Sequence, residues 1–194
     1  MFPQELIDAT EYLQNRITAC TSHSDGRLNS NTDETAIINE LIDKYGSENV
    51  VAAPDRHWYD VLLFGYPVNI KSSRMTTSDN CNAVLAILHC FTNADLKCGW
   101  AHFYSSLSQR TDTDTDRNYY FLVLDKRDSS VHLQSLRTLA RLTSNGNNLP
   151  FQIKWADNIT PIERTYEAAY RFVIDMFKES VTKRMNVHNG YENL

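Results

Sequence analysis

The chain of 194 residues has no apolar run long enough to cross a bilayer. Its opening, Met1-Phe2-Pro3-Gln4-Glu5, carries neither the basic nor the apolar region of a secretory leader. The expectation is a cytoplasmic protein with no membrane partner. Four cysteines, Cys20, Cys81, Cys90 and Cys98, form no Cys-x-x-Cys pair, so reduced core thiols are expected in preference to disulfides or a zinc site. Positive charge is not in excess: 19 Lys and Arg face 24 Asp and Glu, a net charge of −5. That balance argues against a general nucleic-acid coat, yet it leaves room for an enzyme whose basic groups line one cleft. There is no internal repeat and no low-complexity segment. The alternating aspartates between Gln109 and Arg117 look like the start of a calcium loop, but the glycine at the sixth position and the glutamate at the twelfth are missing. A solvated loop is expected there.

What is present is ordinary for a globular chain, 42% hydrophobic and 22% charged, and sufficient for one well-filled core. We expect a single domain over residues 1–194: an N-terminal helix over about 3–18, a core over about 30–180 and a polar, frayed tail over 186–194. Leu6, Ile7, Leu13 and Ile17 give the first helix its apolar face. Residues 21–32 read as a polar loop, and Asp33 to Tyr45 as a helix with Ile37, Ile38, Leu41, Ile42 and Tyr45 on one stripe. Val50 to Ala53 reads as a strand, Cys81 to Phe91 as a helix, Gly99 to Tyr104 and Tyr119 to Leu124 as buried strands, and Phe151 to Trp155 as a further strand. Thr160-Pro161-Ile162-Glu163 announces a last helix, with Tyr166, Tyr170, Val173, Ile174, Phe177 and Val181 along its buried side.

The chemistry concentrates between Trp58 and Ser73. Asp60 opens the apolar run Val61 to Phe64, Gly65-Tyr66-Pro67 turns it, and Val68-Asn69-Ile70-Lys71 returns before a polar Ser72-Ser73 loop. Alternation puts Asn69 and Lys71 on one face of the returning strand and Val68 and Ile70 on the other. A hairpin that brings Asp60 beside this pair gathers a carboxylate, an amide oxygen and an ammonium, a site for a hard divalent cation and a polarised water. Asp55, in the turn Pro54-Asp55, is the alternative acid.

Asp60 followed by Asn69-Ile70-Lys71 resembles the PD-(D/E)XK nuclease superfamily, which includes most type II restriction endonucleases. The order helix, hairpin, helix around it is similar to that superfamily's core, and Asn147 to Trp155 and Arg164-Thr165-Tyr166 also look like the C-terminal half of some restriction enzymes. Asn69 departs from the pattern, which usually has Asp or Glu there. The resemblance implies an α/β fold with a central mixed sheet flanked by helices, Mg2+ held by Asp60, Asn69 and the Ile70 carbonyl, Lys71 acting on the water, double-stranded DNA as substrate and a homodimer matched to a palindromic target. It also implies a further acid from the first core helix. Glu34 fits that place, although Asn31-Thr32-Asp33-Glu34 equally fits a helix cap. DNA contacts are expected from Arg74, Arg141, Asn145, Asn147, Asn148 and Lys154, with Lys126, Arg127 and Arg137 as further phosphate contacts. His57 and His102 are expected to be structural. The same motif would serve a junction-resolving nuclease or a silent DNA-binding module.

Overall fold

The computed structural model describes residues 2–14, 16–19, 26–81, 83–110 and 116–189. In chain order the elements are α1 (Gln4–Leu13), α2 (Gly26–Tyr45), β1 (Val50–Ala52), β2 (Val61–Leu63), β3 (Tyr66–Ser73), β4 (Ser78–Cys81), α3 (Val84–Phe91), α4 (Trp100–Ser108), β5 (Tyr120–Asp125), β6 (Val131–Ser135), β7 (Phe151–Lys154), a 3-10 turn (Trp155–Asn158) and α5 (Tyr166–Asn189). They fall into two compact units, one of Met1–Thr77 with Tyr119–Ser135, the other of Ser78–Asn118 with Leu136–Leu194.

The first unit is a five-stranded mixed sheet, order β1-β2-β3-β5-β6, with helices packed against it. The expected α/β class with a mixed sheet flanked by helices is what forms. β1, β2 and β3 run antiparallel, β3 and β5 parallel, and β5 and β6 antiparallel. Val68 and Ile70 of β3 enter one apolar cluster with Leu6 and Leu13 of α1, Ile37 and Leu41 of α2, and Leu122 and Leu124 of β5. Asn69 and Lys71 take the opposite face, as their alternation requires. The hairpin turn is the residue pair Phe64-Gly65, not Gly65-Tyr66-Pro67: Leu63 pairs with Tyr66, and both turn residues have positive φ, 52° and 82°. Two such residues match the right-handed strand twist. Phe64 is held there by its N–H donating to the Asn49 carbonyl at 2.7 Å and by the edge of Tyr45 at 5.1 Å.

The second unit pairs β4 with β7 as an antiparallel ribbon. Its packing is aromatic: buried Phe103 meets Phe177 at 5.2 Å, exposed Trp100 stacks on Phe177 at 6.0 Å, and the Tyr166 hydroxyl donates to the Phe91 carbonyl at 2.9 Å. This packing explains one correction. Gly99 to Tyr104 is not a strand, because Trp100, Phe103 and Tyr104 are the i, i+3, i+4 face of α4.

Other boundaries shift for local reasons. Helix α2 begins at Gly26, so residues 26–32 are helical and not loop, with Thr32 and Thr35 hydroxyls bonded back to the Leu28 and Asn31 carbonyls. Ser72 and Ser73 continue β3, and Cys81 ends β4 ahead of α3. Thr160 to Glu163 do not start α5. The Thr165 hydroxyl accepts from the Ala168 N–H at 3.3 Å, and the Ile162 N–H is spent on the Thr138 carbonyl. Residues 186–189 extend α5 where a frayed tail was expected. Cys81 and Cys90 are buried, whereas Cys98 is exposed and so not a core thiol. Cys20, residues 21–25, 111–115 and 190–194 lie outside the described residues.

Gly65 tests the hairpin. A Cβ there meets nothing within 4 Å, so Gly65→Ala should cost only the left-handed backbone penalty, about 1–2 kcal/mol. Denaturant unfolding measures it, and an unchanged midpoint would contradict the assigned turn.

Candidate active site

Asp60 stands one step beyond the last β2–β3 pair, Val61 with Val68. Its N–H donates to the Val68 carbonyl at 3.0 Å, and its carbonyl accepts from the Ala53 N–H at 2.9 Å. Its side chain closes the arrangement, Oδ2 accepting from the Ile70 N–H at 2.6 Å. The carboxylate is thereby fastened to the middle of the Asn69-Ile70-Lys71 triplet. The Ile70 N–H holds Asp60 and its side chain sits in the core, and neither bears on the expectation that its carbonyl is a metal ligand.

Three groups complete the site. Asn69 is half-buried, and its Oδ1 is a buried oxygen with no hydrogen-bond partner among the described residues. An orphaned acceptor of this kind carries a desolvation cost. Glu34, half-buried on α2, lies in the field of both Asp60 and Lys71. Burial pushes its carboxyl above the ordinary range and the charge of Asp60 pushes it further, against the pull of Lys71. Asp60 is likewise raised by burial, opposed by Lys71 and by the Ile70 N–H. The cap reading of Glu34 fails, because Asn31 is inside α2 and not at its start.

Glu34 and Asp60 open onto a cleft of about 370 Å³ whose other walls are Asn31 and Thr35 of α2 and Ala53, Pro54, Asp55, Arg56, His57 and Tyr59 of the β1–β2 loop. Asp55 is exposed on that wall and Asp60 is the acid bonded to the triplet, which favours Asp60 as the principal acid. His57 is exposed, its ring edge-on to Tyr59 at 4.3 Å, so the expectation of an internally satisfied histidine does not describe it. It does describe His102, whose Nε2 lies 2.7 Å from the Asp95 carbonyl. The Pro-Asp turn signal marked this loop in the sequence, but nothing there indicated that Arg56 and His57 face the same cleft as Glu34.

The expected DNA contacts divide between the units. Arg74 is exposed just past β3. In the second unit Arg141 and Lys154 share Asp157, at 3.4 and 3.8 Å. Asn145 has structural work: Oδ1 accepts from the N–H groups of Asn147 and Asn148, and Nδ2 donates to Asn80. Asn147 and Asn148 are exposed. Lys126 lies 3.8 Å from buried Asp33, which also accepts from the Ser72 hydroxyl. Arg127 chelates buried Asp125, and Arg137 lies over the Tyr166 ring at 5.1 Å. These three have internal partners.

Among the described residues no three His, Cys, Asp or Glu side chains gather into a metal cluster. The cleft holds two carboxylates, Glu34 and Asp60, and the strand beside Asp60 carries the orphaned Asn69 amide oxygen; oxygen donors are what magnesium prefers. Two desolvated carboxylates that repel one another are relieved by a cation, so the residues fit such a group.

No protein-family model and no curated protein matches the sequence. Among solved structures, a chain described as "Restriction endonuclease in complex with substrate DNA" is similar at 15% identity with a TM-score of 0.29, over 62% of this chain and 56% of that one. The chain thus spans little more than half of that neighbour. A likeness this slight carries no functional argument, and the site rests on its own geometry.

The raised carboxyls give a pH signature. A group whose folded-state pKa lies above its unfolded value favours folding below the unfolded value, and that contribution is lost as pH rises through the folded one. In metal-free protein, Glu34→Gln should therefore flatten the decline of stability from the ordinary carboxylate range toward neutrality, leaving the variant at least as stable as wild type at pH 7. Thermal melts across that range measure this, and parallel pH profiles would contradict the burial and repulsion described.

Proposed function

We propose that the chain is a magnesium-dependent endonuclease that hydrolyses phosphodiester bonds in double-stranded DNA at a short specific sequence, in the manner of a type II restriction enzyme. The observation that carries the proposal is the hydrogen bond from the Ile70 N–H to Asp60, which sets a carboxylate against Asn69-Ile70-Lys71 with Glu34 beside it. Asp60 and Glu34 would hold the cation through carboxylate oxygens, and Asn69 through its orphaned Oδ1. When bound, magnesium supplies Lewis acidity and lowers the pKa of water.

The chain's own residues do the rest. Lys71 shares the field of both carboxylates. Its ammonium orients the attacking water, holds or releases a proton at Nζ, and offsets charge growing on the phosphoryl oxygens. Asp60, locked by Ile70, cannot swing away as charge develops, so its position costs little to reorganise. Val68 and Ile70, buried beneath, fix the strand that carries both polar groups. A palindromic target would be read by two copies related by two-fold symmetry.

Lys71→Ala should still bind duplex DNA with Ca2+ in place of Mg2+, while single-turnover cleavage falls at least about a hundredfold. Asp60→Ala should abolish cleavage and Asp55→Ala should spare it. Lost affinity with an unchanged single-turnover rate in Lys71→Ala would reduce Lys71 to a phosphate contact. Failure of wild-type protein to cut any duplex, with binding retained, would support a silent DNA-binding module.

A further inference from the structure

The β1–β2 loop contains a backbone anomaly at the mouth of the acidic cleft. Pro54-Asp55-Arg56-His57 is a tight turn closed by the His57 N–H donating to the Pro54 carbonyl at 3.1 Å. Arg56 occupies its third position with φ of 61°, a place that glycine or asparagine ordinarily fills. A long, unbranched cationic side chain gains nothing from a left-handed backbone, and such strain persists where the surroundings over-determine it. Here they do. The loop is clamped at its base by the Ala53 N–H to Asp60 carbonyl bond, and Trp58 is pinned by the Tyr119 hydroxyl donating to its carbonyl at 2.6 Å and by stacking on the Tyr119 ring at 5.6 Å. Arg56 is therefore held in position on a braced loop.

The cleft wall that Arg56 joins has a chemical shortage. Glu34, Asp55 and Asp60 are all carboxylates, and Arg56 and His57 are the lining residues able to carry positive charge. The cation and Lys71 proposed above answer the phosphate at the point of cleavage, and a neighbouring backbone phosphate along the same cleft needs a positive partner of its own. Guanidinium presents a planar fork of donors matched to phosphate oxygens, and the imidazole of His57, fixed edge-on to Tyr59, adds a donor next to it. The cleft volume of about 370 Å³ suits one segment of backbone and not a duplex.

We infer that Arg56, with His57 beside it, is a phosphate-binding clamp that receives a backbone phosphate of the DNA strand held at Asp60 and Glu34. This rests on the nuclease reading above and adds a substrate contact to it. The clamp explains why a left-handed position holds arginine: Arg56 lines the same cleft as Glu34 and Asp60, and the binding energy gained offsets the strain.

Arg56→Asn tests this cleanly, because asparagine tolerates the left-handed region and keeps the turn while removing the charge. Thermal melts should show no loss of stability. Binding of a short duplex, measured with Ca2+ over a range of salt, should weaken about tenfold, the scale of a lost charge-assisted contact. The slope of log affinity against log salt should fall by about one unit. Lys97→Asn, the same change of charge at an exposed residue outside the cleft, should leave both unchanged. Equal affinities and slopes for wild type and Arg56→Asn, with wild type binding normally, would overturn the clamp alone, as would equal losses in Lys97→Asn. Absence of duplex binding by wild type would overturn the clamp and the nuclease reading together.

Discussion

The hydrogen bond between Asp60 and the Ile70 N–H is the constraint on which the site depends. β2 is only three residues long and β3 is eight, so β3 outruns its partner and the Ile70 N–H would face outward without a strand to receive it. Unpaired backbone donors are costly. The Asp60 side chain takes the place of the missing strand, and in doing so it is fixed beside the triplet. The fold thus positions the acid as a by-product of satisfying its own ladder. The two-residue turn Phe64-Gly65 then sets the register, since a one-residue slip would send Asn69 and Lys71 into the core and Val68 and Ile70 out.

The same region is where the molecule gives up stability. Glu34 and Asp60 are both raised by burial, they repel one another, and the Asn69 Oδ1 goes unpartnered among the described residues. Two buried acids of the same unit are answered: Asp125 is chelated by Arg127, and Asp33 lies between Ser72 and Lys126. Two desolvated carboxylates and an orphaned amide oxygen on neighbouring elements are the pattern of a functional site. Arg56, strained and exposed at the rim of that cleft, belongs to the same pattern.

How much of this was legible in the sequence follows the reach of the forces involved. Period-two alternation set the faces of Val68, Asn69, Ile70 and Lys71 correctly because the pleat is local. The apolar stripe of Ile37, Ile38 and Leu41 placed α2 against the sheet and Glu34 with it. What failed depended on distant partners. The aromatic run at Trp100 reads as strand until Phe177 is seen to receive one helical face. The polar start of α2 reads as loop because nothing local shows the Ser30 hydroxyl accepting from Lys126. β6 escaped notice because Val131 to Ser135 alternates weakly and owes its place to pairing with β5. The β1–β2 loop looked like a plain turn, and only the fold brings Arg56 and His57 to the cleft that Glu34 lines.

The central proposal is that Asp60 and Asn69 of the β2–β3 hairpin form one cation site with Glu34 of α2. Following the backbone amide of Ile70 and the side-chain amide of Asn69 by NMR during a Mg2+ titration tests it most directly, without reference to catalysis. Both signals should shift saturably and together, because the cation would draw on the carboxylate that the Ile70 N–H bonds and on the oxygen that Asn69 presents. Signals that stay at their metal-free positions throughout the titration would contradict the account.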